Sequence, residues 1–97
     1  MIIQGTHRAY MGADSPQVAW VRDSSGPIDL TEAVVTVEVR QGGKVRMTTV
    51  AAGDGKGRLE FTVTAAASKK RLRPGPHTLS AISDGRVIYT GLLEVVS

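Results

Sequence analysis

The sequence predicts an all-β domain, a sandwich or small barrel of short strands, on three observations. Apolar residues recur with period two, and turn signals recur about every ten residues. No stretch carries the dozen or so helix-patterned residues that a βαβ crossover needs.

Taken in order along the chain, Val18 and Trp20 share a parity between Pro16 and Arg22 and are expected to face a core. Asp23-Ser24-Ser25-Gly26-Pro27 breaks that strand. Val35, Val37 and Val39 then alternate with Thr36, Glu38 and Arg40, the pattern of a half-buried strand. Gln41-Gly42-Gly43-Lys44 closes a hairpin, after which Val45, Met47 and Thr49 alternate with Lys44, Arg46 and Thr48. Residues 52–57 make a longer loop, followed by Leu59, Phe61 and Val63 alternating with Glu60, Thr62 and Thr64.

From Thr64 to Leu72 the period changes. Helix-forming alanines follow a threonine able to cap the first turn, and basic residues near the end suit the helix dipole. One or two helical turns are expected, stopped by Arg73-Pro74-Gly75-Pro76. Asp84-Gly85 is the strongest hairpin signal present. In the last segment Val87, Tyr89, Leu93 and Val95 share a parity, with Gly91 as a bulge or close-approach point. The expected core is Val18, Trp20, Val35, Val37, Leu59, Phe61, Val63, Leu79, Leu93 and Val95.

Ninety-seven residues, 41% apolar and 22% charged, make one domain over residues 1–97 that buries a single core. Marginal stability at this size favours an oligomer contact. The absence of cysteine excludes disulfides, thiolate zinc sites and cysteine nucleophiles. No apolar run approaches the ~18–20 residues of a membrane span, and Met1-Ile2-Ile3-Gln4 lacks the basic start of a signal peptide. A soluble protein made in the cytoplasm, without membrane insertion, is expected.

Chemistry-bearing patterns are sparse. His7 and His77 belong to no HExxH or other metal-ligand spacing, and no serine lies in GxSxG. Gly53-Asp54-Gly55-Lys56-Gly57 fails the phosphate-loop pattern because Lys56 is followed by glycine and a strand. It offers a calcium ion only Asp54. The aspartates sit mostly in turns, where they bond following amides. The reading is a non-enzymatic chain with no cofactor and no metal.

The formal charge of +3 lies in the second half, residues 49–97, with seven basic and four acidic side chains. Lys69, Lys70, Arg71 and Arg73 form a basic surface, read as a solvated turn because no aromatics interleave with it.

Four segments resemble a known family. They are the run from Asp23 through Asp29-Leu30-Thr31 to Val39-Arg40, Asp54-Gly55 through Phe61 to Thr64, Leu72-Arg73-Pro74-Gly75 through Ala81, and Gly91-Leu92-Leu93-Glu94-Val95. In order and spacing over residues 16–97, the set is similar to the immunoglobulin-like N-terminal domain of tailed-bacteriophage baseplate upper proteins and related tail or neck modules. Glu32 takes a position the family usually gives to glycine, and His77 one usually held by tyrosine. The resemblance implies an immunoglobulin-like β-sandwich of about seven strands with one short helical turn. It also implies a virion component, made in the host cytoplasm, that works by protein–protein contacts with other virion proteins and as a homo-oligomer in the particle. A free-standing small subunit, or a piece of something longer, is the expectation.

Within that reading, Leu93 and Val95 point inward on the last strand and Leu92 and Val96 outward. Ile2, Ile3, Leu92 and Val96 are therefore the candidate partner contact. The alternatives are a surface-binding module for carbohydrate or a host receptor and, less favoured, a nucleic-acid binder using Lys69 to Arg73.

Overall fold

The computed structural model describes residues 3–97 and is all-β, with one short helix. In chain order the elements are β1 Gly5–Tyr10, β2 Ser15–Trp20, β3 Arg22–Asp23, β4 Gly26–Pro27, β5 Val35–Gln41, β6 Lys44–Gly53, β7 Arg58–Val63, α1 Ala65–Lys70, β8 Gly75–Ser83 and β9 Arg86–Val96. Seven strands form one mixed sheet in the order β1-β9-β8-β5-β6-β7-β2, while β3 and β4 pair as a separate small hairpin.

Local chemistry accounts for the two large hairpins. Gly42 and Gly43 stand at φ 63° and 78°, and Asp84 and Gly85 at φ 55° and 76°. Positive φ at both central residues is the two-residue turn whose twist matches that of the flanking strands. Each hairpin then carries a bulge at the same place in its second strand. Val39 pairs with Met47 but Arg40 with Val45, leaving Arg46 extra, and Ala81 pairs with Tyr89 but Ile82 with Val87, leaving Ile88 extra.

The sheet curls nearly into a barrel because β6 pairs with two different partners. Its first part, Lys44 to Ala51, pairs with β5, and only Ala52 and Gly53 pair with β7. A long strand that changes partners in this way carries the sheet round a corner. The outermost strands, β1 and β2, are thereby brought side by side. There the Gln17 side-chain amide donates to the Arg8 carbonyl at 2.7 Å and the Tyr10 amide donates to Ser15 Oγ at 3.0 Å. β1 itself runs parallel to β9, from Gly5 opposite Gly91 to Tyr10 opposite Val96.

The interior holds Val35, Val37, Val39, Leu59, Phe61, Val63, Leu79, Leu93 and Val95, as the alternation predicts, joined by Val21, Leu30, Met47, Leu72 and Tyr89. Val18 and Trp20 are corrections. They are 39% and 55% exposed, and the inward face of β2 is Ser15, Gln17 and Ala19. Small and amide side chains suit that face because Gln17 must reach across to the β1 backbone. Val45 and Val87 also face outward, since the bulges at Arg46 and Ile88 shift each by one position relative to Met47 and Tyr89. Gly91 is a close-approach point, and the bulge of that strand lies at Ile88 instead.

The helix matches its signal. Thr64 caps it, its Oγ1 accepting from the Ala67 amide at 3.1 Å, and Lys69 and Lys70 occupy the last turn. Two bonds tie it to the β1–β2 turn: Ser68 Oγ accepts from the Gly12 amide at 2.9 Å, and the Asp14 carboxylate accepts from the Ala65 amide at 2.7 Å.

Candidate functional site

The outer face of β9, β8, β5 and β6 is where exposed apolar area collects. Cross-strand register places Val87, Ile82, Thr36 and Val50 in one row over four strands. Val50 and Val87 are 71% and 60% exposed, and Val34, just before β5, is 75% exposed. A second row, nearer the Gly42-Gly43 turn, runs through Leu92, Thr78, Arg40 and Val45. Between the rows lie Ser80 and Glu38, the latter paired with Arg40 at 2.9 Å. A shallow groove of ≈ 630 Å³ follows β8 and β9 along this face, with Ile82, Val87 and Leu92 among its walls.

Of the candidate contact residues, Leu92 and Val96 are not brought together. Ile2 lies outside the described residues. Ile3 is 40% exposed and precedes Gln4, whose amide donates to the Thr90 carbonyl at 2.7 Å. Leu92, also 40% exposed, belongs to the groove. Val96 is half-buried beside Tyr10 at the far end of β9, separated from Leu92 by the Arg8–Glu94 pair of neighbours. The residues that sequence alternation missed are Val45 and Val87, because a bulge leaves no mark in a period-two count.

Lys69, Lys70, Arg71 and Arg73 are all exposed around the end of α1, anchored by the buried Leu72 between them. Of the four, Arg71 also borders a cleft of ≈ 290 Å³ between β6 and β7. The glycine–lysine loop is closed on itself: the Asp54 carboxylate accepts from the Lys56 and Arg58 amides at 2.8 and 3.0 Å, which lowers its pKa below 3.8. Asp29 does the same for Thr31. These carboxylates build turns.

At the β1–β2 seam His7 is half-buried, with Nε2 2.7 Å from the Tyr89 hydroxyl and its ring 6.1 Å from that of Phe61. His77 is buried, Nδ1 3.0 Å from the Gly75 carbonyl, while its Nε2 has no hydrogen-bond partner. Among the described residues no three His, Cys, Asp or Glu side chains converge in a group able to hold a metal ion, and no helix is long and apolar enough to cross a membrane.

No protein-family model matches this chain, and no curated protein is similar to it.

Proposed function

We propose that the chain is a non-enzymatic structural component of a tailed-phage virion, in the tail, baseplate, neck or a capsid-associated position. It acts by protein–protein contacts with other virion proteins and with its own copies, in particle assembly or host attachment. The finer fold reading is an immunoglobulin-like sandwich whose two layers are joined where β6 turns its corner. The four-segment resemblance over residues 16–97 supports the virion reading, and the outer face supports the contact reading.

The single observation that carries the contact reading is the apolar row on that face. An outer sheet face that meets only water is expected to be polar, yet here Val34, Val50 and Val87 are each more than half exposed. Large apolar side chains grouped on one face mark a surface that is covered in the working assembly.

The test is Val50→Lys combined with Val87→Lys, with Glu94→Lys, exposed on β9 outside both rows, as a control. Both proteins are expected to fold. The double variant loses self-association in solution and incorporation into particles, and the control does not. Unchanged assembly by a folded double variant removes this face from the reading.

The carbohydrate-binding alternative gains one supporting observation, the outward Trp20. Tyr10, the other exposed aromatic, lies beside Ser15. Five residues of β2 set it about 17 Å from Trp20, so the two do not form one stacking platform.

A further inference from the structure

We propose that the free edge of β6 is a strand-addition site for an extended, acidic segment of a partner protein. The proposal concerns a different surface from the apolar face and does not depend on the virion reading.

On one side β6 is covered by β5 from Lys44 to Ala51. On the other side its ladder with β7 consists of Ala52 opposite Glu60 and Gly53 opposite Leu59. Were that ladder to continue, Thr62 would stand opposite Val50 and Thr64 opposite Thr48. Instead β7 stays with β2 along its whole length and the two strands splay apart. The cleft that opens has Met47, Thr48 and Thr49 on the β6 side, Thr62 and Thr64 on the other, and Arg71 at its border. Backbone donors and acceptors on the cleft side of β6 therefore have no strand partner among the described residues, which is the template that an added strand uses.

Charge selects the occupant. Arg71 borders the cleft, Lys44 opens β6, and Arg46 sits at its bulge with Nε buried and without a hydrogen-bond partner. None of the three is in an ion pair, since the two ion pairs among the described residues are Arg40–Glu38 and Arg58–Glu60. No carboxylate lines the cleft. A second copy pairing through β6 would leave these cations unneutralised, because β6 carries no carboxylate from Lys44 to Gly53. An extended segment with acidic residues near its ends neutralises them, while small or β-branched side chains suit the threonine walls. Lys69 and Lys70, in the last turn of α1 immediately before Arg71, add to the positive field that steers such a segment in.

The probe is a fluorescein-labelled peptide of alternating Thr and Val with an Asp at each end, compared with its Lys-ended counterpart and with a mixed-sequence DNA duplex. Anisotropy titrations are run on the whole protein at ~0.05 and ~0.15 M salt. The acidic peptide binds, more weakly at the higher salt, and it slows hydrogen exchange at amides within Met47–Ala51. Arg71→Glu weakens it by about tenfold or more, while Arg73→Glu, outside the cleft, changes affinity less than threefold or so. Equal binding of the acidic and Lys-ended peptides overturns the proposal, as does protection that falls on β1 or β9, or no binding up to about 1 mM peptide. Duplex binding lost in Arg71→Glu without any peptide binding assigns the surface to nucleic acid instead.

Discussion

The hydroxyl of Tyr89 reaches Nε2 of His7 at 2.7 Å, across the parallel pairing of the first strand with the last. The two rings meet nearly edge to face, at 74°. Space for the phenol comes from glycines: a Cβ on Gly91 would lie 3.0 Å from Tyr89 Cε1, and one on Gly5 would overlap the Tyr89 hydroxyl. Burial holds the His7 imidazole below its usual 6.5, opposed in part by the Gln17 side chain, and raises the Tyr89 phenol above 10.0. Both groups are thus favoured in their neutral forms, and together with Gln17 and Phe61 they fill the seam where the curled sheet nearly closes.

Stability is expected to depend on pH through His7. Its folded-state pKa is lowered, so the unfolded chain takes up a proton first, and stability is lost as pH falls from 6.5 towards the lower folded value. Asp23, Asp29 and Asp54, lowered from 3.8, add their losses only further down in pH. Urea denaturation at about pH 7.5 and about pH 5 should show the less stable protein at the lower pH, and His7→Gln should flatten that difference. An equal slope in the variant would assign the effect elsewhere.

Gly5→Ala should destabilise the fold by about 1–3 kcal/mol through overpacking against the Tyr89 hydroxyl. Because the overlap is with the oxygen and the ring carbon behind it stays 3.4 Å away, Tyr89→Phe should recover part of the loss. Denaturation midpoints of the two single variants and the double measure this coupling, and simple additivity would count against the overlap.

Phe61 and Trp20 should behave as opposites. Phe61 is 6% exposed and its truncation to alanine is expected to cost about 3–5 kcal/mol. Trp20→Ala, at 55% exposure, is expected to cost less than about 1 kcal/mol. Quenching of the single tryptophan by acrylamide should be efficient in the native protein.

Replacing Lys69, Lys70, Arg71 and Arg73 together with Gln should leave the fold intact, because all four side chains are exposed and Leu72 and Ser68 do the anchoring. Circular dichroism and the thermal midpoint should be close to those of the native chain, with a shift under about 0.5 kcal/mol per site.

Much of the fold is written locally. Val35-Val37-Val39 and Leu59-Phe61-Val63 declare their buried faces, Gly42-Gly43 and Asp84-Gly85 declare their turns, and Thr64 with the residues after it declares the helix. Each signal depends on neighbours a few residues away, so a linear reading can find it. Exposure of the basic residues after Ser68 was legible in the same way.

Other features exist only once distant segments meet. β1 leaves no alternation because its inward residues are Gly5, His7 and Ala9, and β2 shows the wrong face because its inward residues are Ser15, Gln17 and Ala19. At a seam where two edge strands close on one another there is little room, and rings from β7 and β9 fill it, so the apolar side chains Val18 and Trp20 are left outside. The outward turn of Val45 and Val87 likewise needs a bulge, which inserts one extra residue and sharpens the local twist, and which a period-two count along one strand does not register. The cleft beside β6 follows from that strand serving β5 first and β7 last. Sequence alone therefore determined strands such as β5 and β7, the two tight turns and the helix cap, whose signals are local, while tertiary structure decided β1, the face of β2, the exposed valines and the open edge, whose free energies belong to pairs of strands far apart in the chain.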